Sequence, residues 1–382
     1  MSLIQIAAGL LLAAGTAYLG LALLRVAQWR PAPPSEPSLP PVSLLVPLFG
    51  APPRLAECLG TLLAQDYAGE VQVVFGLHHV DDPARPVVER LMAEWPGRDF
   101  TLVVDPRRAG PNPKNCNLAN MVPAARHDVL VMVDSDVLAP PDLLAILAAT
   151  LTADTRIGLA TCPYRGIAGA SLWSRLGGLY IDDWFIPSVL VDVARRDMDF
   201  AYGAAIAVTR QALAAAGGFE AMAAAVAQDY VIGHAVSRAG FTVRLAPCIV
   251  GTIVAEDTAA RLFAHELRWN RTIRAVRPLD HGLSIVTSPL LPFLLLALPS
   301  WSPGAVMGGA GLLLVLRGLL HLLLRRRLPL EPRSLWLLPV RECFNALVWA
   351  VSLTGRRIRW GDQVMVTGSG QTMRVDESGG GR

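Results

Sequence analysis

The chain has 382 residues, of which 53% are hydrophobic and 17% are charged, and its mean hydropathy is +0.42. Soluble enzymes carry nearer about 25% charged residues, so the composition excludes an ordinary soluble enzyme. The five cysteines are scattered without close pairs, which excludes a disulfide-stapled secreted domain. A net charge of +3 gives no overall field that favours nucleic acid as a partner. The length fits one domain of about 200 to 250 residues together with membrane segments.

Residues 1–25 are expected to form a transmembrane anchor. Residues 2–24 carry no charge and, at about 1.5 Å per residue, are long enough to cross about 30 Å of hydrocarbon. No basic region precedes this run and no small-residue cleavage site follows it, which favours a retained helix over a cleavable signal peptide. Arg25 and Arg30 follow the helix, so the positive-inside rule places the rest of the chain in the cytoplasm. A proline-rich linker over residues 26–41 is expected to act as an extended spacer.

Residues 42–258 show the pattern of an α/β domain. Short, Val-rich apolar runs indicate buried parallel strands, and segments with helical spacing separate them. The strand-like runs are residues 42–47, 71–77, 100–104 and 129–133, and the helical segments include residues 54–64 and 86–95. This alternation predicts a doubly wound α/β sheet. In such sheets ligands bind beyond the carboxyl ends of the strands, so polar motifs at those ends are the candidate site residues.

One strand-like run leads directly into Asp134-Ser135-Asp136. Two carboxylates at the edge of a sheet supply hard oxygen ligands, which suit Mg²⁺ or Mn²⁺ bridging two phosphates. The alternative is a solvated turn with Asp as a helix cap, because Pro140-Pro141-Asp142 opens a helix soon afterwards. The spacing alone leaves both interpretations open.

Two further segments are ambiguous by themselves. Residues 112–120 contain four Asn and Lys114, the only lysine of the chain. Amides and an ammonium group can bind a sugar or a diphosphate, and an Asn-rich turn that caps the next helix explains the pattern equally well. Asp229 lies in an Ala-rich helical stretch, where an Asp usually faces solvent.

The C-terminal part alternates between basic and apolar segments. Residues 259–281 interleave Arg with apolar residues, which predicts an amphipathic interfacial helix that can bind anionic headgroups. The C-terminal membrane segments are expected within residues 282–354. There, residues 283–301 and 304–324 are two apolar stretches that predict a transmembrane hairpin returning to the cytoplasm.

The last apolar stretch differs from the other two. Residues 335–353 contain Arg341 and Glu342 and carry Arg on both sides, so this stretch is expected to be re-entrant or packed inside the helix bundle. Residues 355–382 are expected to form a cytoplasmic tail, and its Gly/Ser-rich end from residue 367 is expected to be disordered.

Taken together, these motifs resemble the membrane-anchored glycosyltransferases of the ceramide glucosyltransferase family, within the GT-A, cellulose-synthase-like superfamily. The shared features, in order, are the N-terminal anchor, Asn112-Pro113-Lys114, Asp134-Ser135-Asp136, Asp229-Tyr230, Arg268-Trp269 and the C-terminal membrane segments. Residues 172–175, 183–190 and 265–278 are similar to the bacterial hopanoid-biosynthesis-associated glycosyltransferase. The resemblance implies a Rossmann-like GT-A nucleotide-sugar-binding domain at the bacterial inner membrane, facing the cytoplasm.

The resemblance also implies a role for each matching residue. Asp136, supported by Asp134, would hold Mg²⁺ or Mn²⁺ on the diphosphate of a UDP-sugar. Asp229 would be the general base that takes the proton from the acceptor hydroxyl. Arg268 would neutralise the leaving UDP, and Arg268 and Trp269 would line the acceptor site. Metal and Arg supply the positive charge that the departing diphosphate needs, and a single base implies displacement with inversion.

The chain departs from the family pattern at two positions. The family has a nucleotide-binding Asp after the second strand, whereas this chain has His79 there, and either His79 or Asp81 could contact uracil or ribose. The last family motif begins with Gln or Arg, whereas this chain has His265, which can donate a hydrogen bond to phosphate. The metal site and the base are unaffected by either change.

These observations predict a membrane-bound, non-processive glycosyltransferase that moves a sugar from a UDP-sugar to a lipid hydroxyl at the bilayer surface. The resemblance implies N-acetylglucosamine transfer to a hopanoid polyol, and glucose transfer to ceramide is the alternative. A processive polysaccharide synthase is disfavoured, because too few spans remain to build an export channel. A scaffold that binds nucleotide and lipid without catalysis is a further alternative, suggested by His79 and His265.

Overall fold

The computed structural model describes residues 2–30, 39–360, 363–367 and 372–375. Most of the expected linker and most of the expected tail therefore lie outside the described residues. The chain divides into two compact units. The helical unit comprises Met1–Trp29, Arg165–Arg196 and Val254–Met365, and the sheet unit comprises Arg30–Tyr164, Asp197–Ile253 and Val366–Arg382.

The secondary structure follows the expected alternation of strands and helices between residues 42 and 254. The strands are β1 (Val42–Pro47), β2 (Val71–Leu77), β3 (Asp99–Val104), β4 (Val129–Val133), β5 (Val137–Leu138), β6 (Ile157–Thr161), β7 (Tyr164–Ala168), β8 (Ala205–Thr209), β9 (Thr242–Leu245), β10 (Val250–Val254), β11 (Arg357–Trp360), β12 (Gln363–Thr367) and β13 (Met373–Val375). The α-helices are α1 (Leu3–Gln28), α2 (Leu55–Leu63), α3 (Arg85–Glu94), α4 (Pro113–Met121), α5 (Leu143–Thr152), α6 (Leu172–Tyr180), α7 (Ile186–Arg195), α8 (Arg210–Ala215), α9 (Gly218–Ala221), α10 (Gln228–Arg238), α11 (Ala259–Val276), α12 (Pro278–Leu283), α13 (Leu290–Ala297), α14 (Pro303–Arg327) and α15 (Leu337–Ser352).

The sheet unit is built on a seven-stranded sheet in the order β3-β2-β1-β4-β8-β6-β9. Strands β1 to β4 are parallel, as the sequence predicts. Strand β8 is antiparallel to both β4 and β6, so the sheet is mixed, and the simple doubly wound expectation is wrong at this position. A parallel neighbour would need a crossover helix packed on the sheet. The helices between β6 and β8 belong instead to the helical unit, and the chain re-enters the sheet in the opposite direction.

The core of the sheet unit lies around the parallel strands. The side chains of Leu44, Val46, Val131 and Val133 are at most 1% exposed. Strands buried on both faces need apolar side chains at successive positions, which explains why β1 and β4 are continuous Val/Leu-rich runs. Because the strands are parallel, the polar residues that follow β1, β2 and β4 lie at one edge of the sheet.

The helical unit contains the membrane segments. Within the described part of the chain, α1 and α14 are the two helices that are long and apolar enough to cross a membrane, with 26 and 25 residues. The first arm of the expected hairpin is not one helix. Residues 278–287 and α13 form a pair bent by 76°, which is either a broken span or a re-entrant loop. Helix breaks of this kind are tolerated at membrane depth where neighbouring protein satisfies the backbone.

Helix α15 carries buried charges that are paired with other helices. Arg341 is 0% exposed and donates through Nη1 to Glu266 Oε1 of α11 at 2.8 Å, with a second contact from Nη2 to Oε2. Glu342 is 2% exposed and accepts from Arg317 Nε of α14 at 3.0 Å. This agrees with the expectation that residues 335–353 pack inside the bundle.

Arg341→Met is expected to lower the free energy of unfolding by about 3 to 5 kcal/mol, because it leaves Glu266 buried without its partner. The double variant Arg341→Met/Glu266→Leu is expected to recover most of this loss, since apolar replacement of a whole buried pair is often neutral. Reversible denaturation in detergent, followed by circular dichroism, measures both. Arg261→Met is the control, because Arg261 is 70% exposed in its pair with Asp257. Equal instability of the single and double variants would contradict the pairing argument.

Candidate functional site

Asp134 and Asp136 lie at the carboxyl end of β4, in a turn that the backbone holds on both sides. Asp134 N donates to Ala204 O at 3.1 Å, and Val137 N donates to Asp134 O at 3.2 Å. Asp136 O accepts from Ile253 N at 3.0 Å. Asp134 and Asp136 are both partly exposed. Two carboxylate residues therefore lie at the sheet edge, after β4. Neither caps α5, because the N-cap position of that helix is Asp142.

Lys114 reaches this edge from the first turn of α4. Asn112 caps the helix, and its side chain accepts a hydrogen bond from Asn115 N at 3.1 Å. Lys114 Nζ then forms an ion pair with Asp134 Oδ1, and the two side chains are 22% and 34% exposed. The only lysine of the sequence and the first carboxylate of the Asp-x-Asp motif are thus direct partners.

The four Asn side chains near Lys114 connect this segment to the backbone of neighbouring segments. Their Nδ2 groups donate to backbone carbonyls, in the pairs Asn112 to Ala225 at 2.8 Å, Asn115 to Met222 at 2.6 Å, Asn117 to Gly76 at 2.9 Å and Asn120 to Asp105 at 3.1 Å. Asn112, Asn115 and Asn117 are at most 2% exposed. The Asn side chains therefore have the capping and packing role, which was one of the two interpretations of this segment. Lys114 is the residue of the segment that remains a candidate for ligand binding.

Asp229 lies in the first turn of α10 and belongs to the same cluster as Lys114 and Asp134. It is partly exposed but densely surrounded by protein, and this desolvation raises the pKa of its carboxyl group. The positive charge of Lys114 and the Tyr230 backbone N–H oppose the shift, while the negative charge of Asp134 adds to it. A carboxylate that is partly accessible and has a raised pKa is suited to accept a proton.

Gly203 packs directly against Asp229. A Cβ atom at Gly203 would lie 3.1 Å from Asp229 Oδ2 and 3.4 Å from Asp229 Cβ. The Asp229 backbone is also held, since its carbonyl accepts from Ala201 N at 3.3 Å. The position of the carboxylate therefore depends on the segment just before β8, which sequence reasoning did not single out.

The loop ahead of α10 is held by a segment that was expected to be disordered. Met373 N donates to Ala224 O at 2.9 Å, and Thr372 forms an isolated antiparallel bridge with Ala225. Met373 is 4% exposed. The expected disorder from residue 367 is therefore wrong for residues 372–375, where β13 forms, and the other residues beyond 367 lie outside the described residues. The apolar Met373 within a Gly/Ser-rich stretch was the signal available in the sequence.

The residues after β2 divide into structural and candidate binding residues. His78 is buried, and its ring nitrogens lie 3.0 Å from Asp105 O and 2.9 Å from Pro113 O. Asp82 is also buried and accepts from the backbone of Gly50 at 3.0 Å and of Ala84 at 2.9 Å.

His79 and Asp81, between those two buried residues, are both exposed. They are accessible where β2 ends, as a nucleotide contact requires.

The carboxylates of Asp134 and Asp136 fit a divalent metal that is shared with a substrate. Among the described residues, no group of three or more His, Cys, Asp or Glu could hold a metal ion by itself. Mg²⁺ and Mn²⁺ accept hard oxygen ligands, and Mg²⁺ is commonly bound by one or two carboxylates with substrate phosphates and water completing the shell. The donor set is the one expected for a metal that arrives with a diphosphate.

His265, Arg268 and Trp269 lie on α11 of the helical unit. Thr258 caps this helix and accepts from Arg261 N at 3.3 Å. The His265 and Trp269 rings meet edge to face with centroids 4.4 Å apart. The predicted site residues therefore form one cluster in each unit, with Lys114, Asp134 and Asp229 in the sheet unit and these three on α11.

Comparison with known proteins identifies the fold class. The mannosyltransferase PcManGT from Pyrobaculum calidifontis, solved in complex with GDP-Man and Mn²⁺, superposes with a TM-score of 0.57 over 91% of this chain and 98% of that one, at 19% sequence identity. The fold is that of the GT-A glycosyltransferases, as the sequence motifs imply.

The family follows from the sequence profile of glycosyl transferase family 21, which matches residues 7–373. The chain belongs to this family. The ceramide glucosyltransferase of Gibberella zeae is 29% identical over 149 residues, covering 36% of this chain and 28% of that protein. An N-acetylglucosaminyltransferase of Mesorhizobium japonicum is 31% identical over 132 residues, covering 34% of this chain and 29% of that protein. The chain spans less than a third of the length of either relative.

Met373→Asp is expected to release the loop of residues 222–227, because it places an unpaired carboxylate in a buried position beside Ala224. Hydrogen exchange read by mass spectrometry should show faster exchange in this loop and unchanged exchange in β1. Arg374→Asp is the matched control, since Arg374 is exposed on the same strand. Unchanged exchange in the Met373 variant would show that β13 does not hold the loop.

Proposed function

We propose that this protein transfers a sugar from a UDP-sugar to a lipid hydroxyl, with inversion at the anomeric carbon. The observation that carries the proposal is the cluster of Asp229, Lys114 and Asp134 at the carboxyl edge of the sheet. It combines a base of raised pKa with a cation and a carboxylate suited to a metal-bound diphosphate. The donor is UDP-N-acetylglucosamine and the acceptor is a hopanoid polyol.

On the donor side, the chain supplies charge for the leaving diphosphate. Asp134 and Asp136 hold Mg²⁺ or Mn²⁺, which when bound neutralises the two phosphates. Lys114 adds a positive charge at the same edge, and His79 and Asp81 contact the uracil or the ribose. Charge neutralisation of the leaving group is usually a large part of catalysis, because it lowers the energy of the bond-breaking transition state.

On the acceptor side, Asp229 removes the proton from the lipid hydroxyl. The hydroxyl oxygen bonds to the anomeric carbon while the bond from that carbon to the diphosphate oxygen breaks. The proton moves to the Asp229 carboxylate, whose raised pKa makes it a stronger base than an exposed Asp. Arg268 pairs with the departing UDP, and Trp269 lines the acceptor site. One displacement without a covalent intermediate inverts the anomeric configuration.

We propose that the protein lies in the bacterial inner membrane with the sheet unit in the cytoplasm. Arg25 lies in the last turn of α1 and Arg30 follows the helix, and Arg325, Arg326 and Arg327 lie in the last turn of α14. The positive-inside rule places both helix ends in the cytoplasm. This holds only if the bent pair ahead of α14 crosses the membrane as one broken span, since a re-entrant loop would put the end of α14 outside. The lipid hydroxyl then enters from the bilayer and the donor from the cytoplasm.

Glucose transfer to ceramide is the second candidate. The family includes relatives named ceramide glucosyltransferase, among them that of Gibberella zeae. The relative from Mesorhizobium japonicum, named N-acetylglucosaminyltransferase, supports the first donor. Mass spectrometry of lipids from a host that expresses this chain separates the two, because an added N-acetylhexosamine on a hopanoid and an added hexose on a sphingolipid differ in mass.

Asp136→Ala is expected to abolish turnover, because it removes a carboxylate from the metal site. Purified protein with Mn²⁺ or Mg²⁺, UDP-N-acetylglucosamine and bacterial lipid extract provides the assay, and release of UDP without acceptor provides a second readout. Asp128→Asn is the control, since the side chain of Asp128 is 95% exposed in the same unit. Absence of turnover with any UDP-sugar in the unmodified protein would favour a scaffold over an enzyme.

Asp229→Asn is expected to bind UDP with unchanged affinity and to lose transfer by about 10²-fold or more, because the amide cannot accept the proton. Calorimetry with Mn²⁺ and UDP measures the first quantity, and the transfer assay measures the second. Loss of UDP binding would show that Asp229 belongs to the donor site instead.

Gly203→Ala is expected to lower kcat with little change in UDP affinity, since the added methyl group displaces the Asp229 carboxylate by a few tenths of an ångström. Gly60→Ala is the matched control. Gly60 lies inside α2 with open space around its Cβ position, and there alanine is expected to stabilise the helix by about 0.5 to 1 kcal/mol. Equal activity of the two variants would mean that Gly203 does not position the base.

A further inference from the structure

The helical unit contains a cavity of about 440 Å³ beside the connection between α14 and α15. Residues 331–334 of this connection line the cavity, together with residues 168–169, which follow β7, and Arg175 of α6. Pockets for small ligands have volumes of about 300 to 1,000 Å³, so the cavity is large enough for a ligand. All of its lining residues belong to the helical unit, and the cavity is therefore complete within one unit.

The connection between α14 and α15 is fixed to the rest of the helical unit at two points. The side chain of Arg333 is 3% exposed, and its Nε donates to Asp182 Oδ2 at 3.1 Å while its Nη2 donates to Gly166 O at 2.6 Å. Earlier in the connection, Pro329 O accepts from Arg165 Nη1 at 2.6 Å. Because these contacts hold the segment that lines the cavity, the cavity is preformed, and a ligand does not need to order it.

The cavity has one positive charge that the protein does not neutralise. Two arginines line it, and one of them, Arg333, is paired with Asp182 and lies 3.5 Å from Glu331, the carboxylate residue of the lining. Arg175 is exposed and forms no ion pair among the described residues. Arg175 is therefore the side chain of the cavity that is available to an anionic ligand. A guanidinium group suits phosphate, to which it can donate two parallel hydrogen bonds.

The surroundings of the cavity have the character of a membrane surface. The connection that lines it follows directly on the last turn of α14, a helix that can cross a membrane. In that turn Arg326 and Arg327 are exposed and form no ion pair within the described part of the chain. Leu172, Leu335 and Trp336, next to the lining residues in the sequence, are 43%, 49% and 62% exposed. Exposed Trp at the end of a spanning helix is typical of the layer of lipid headgroups.

We propose that this cavity binds the headgroup of an anionic phospholipid, with Arg175 as the contact of its phosphate. Basic pockets between membrane helices at the level of the headgroups bind lipids of this class. An anionic lipid is favoured over a zwitterionic one, because a zwitterionic headgroup adds a cation to a region that already has unpaired Arg175, Arg326 and Arg327. The lipid is bound and not consumed. Its site includes none of the residues assigned to sugar transfer, so the inference does not rest on the proposed function.

Thermal unfolding of the full-length protein in a neutral detergent tests the inference, because a ligand that binds the folded state raises Tm with its concentration. Phosphatidylglycerol, phosphatidylcholine and soluble glycerol phosphate are titrated separately. Arg175→Gln removes the charge, Arg175→Lys keeps it, and Ser334→Trp fills the cavity from its exposed rim. Arg238→Gln is the matched control, since Arg238 of α10 is also an exposed helical arginine without an ion pair among the described residues.

We expect phosphatidylglycerol to raise Tm of the unmodified protein, Arg175→Lys and Arg238→Gln, and phosphatidylcholine and glycerol phosphate to have a smaller effect. Arg175→Gln is expected to weaken the apparent affinity for phosphatidylglycerol about fivefold, the usual contribution of one Arg near an anionic lipid surface, and Ser334→Trp is expected to weaken it as well.

Three results would overturn the inference. The first is equal stabilisation by phosphatidylglycerol and phosphatidylcholine, and the second is an affinity for phosphatidylglycerol that neither Arg175→Gln nor Ser334→Trp weakens. The third is an equal response to glycerol phosphate, which would show that the cavity takes a free phosphate instead of a lipid. Sugar transfer is not measured in this experiment, so a failure of the proposed function would leave the lipid result unchanged.

Discussion

The site depends on one constraint: the negative charges gathered at one edge of the sheet must be offset by positive groups. Asp134 and Asp136 follow β4 and Asp229 lies in α10, and the proposed nucleotide-sugar would add a diphosphate to these carboxylates. Lys114 is positioned by a capped helix to offset part of this charge, and it forms an ion pair with Asp134. The raised pKa of Asp229 reflects the same balance, because burial and Asp134 raise it while Lys114 opposes the rise. In the proposed function, a divalent metal would balance the remainder.

The sequence predicted the parts of the fold that depend on local periodicity. The bounds of β1, β2 and β4 agree with the Val-rich runs, because strands buried on both faces need apolar residues at successive positions. The antiparallel placement of β8 depends on where the chain returns from the helical unit, and no local pattern encodes that path. The candidate site also has a part that the sequence predicts and a part that it does not. The Asp-x-Asp motif was visible at a strand end, whereas the packing of Gly203 on Asp229 and the contact of Glu256 with His265 arise only in the folded chain.

The same limit applies to the membrane segments. Hydropathy identified α1 and α14 because the mean hydropathy of each is high over a length that can cross a membrane, even with Arg317 inside α14. Hydropathy did not decide whether α15 spans the membrane or packs inside the bundle. Arg341 and Glu342 are tolerated there only with partners that lie far away in the sequence. Those partners, Glu266 and Arg317, are 75 and 25 residues distant. Paired in this way, the charges tie α15 to α11.

The Lys114–Asp134 pair explains how a highly charged donor can enter the proposed site without leaving a charge unpaired. Before binding, each side chain satisfies the other in a partly desolvated position. In the proposed function, Asp134 would help to hold the metal, which would supply positive charge to the diphosphate, and Lys114 would be free to pair with a phosphate oxygen. Both groups would then keep an oppositely charged partner, which avoids the cost of an uncompensated charge in a partly desolvated position.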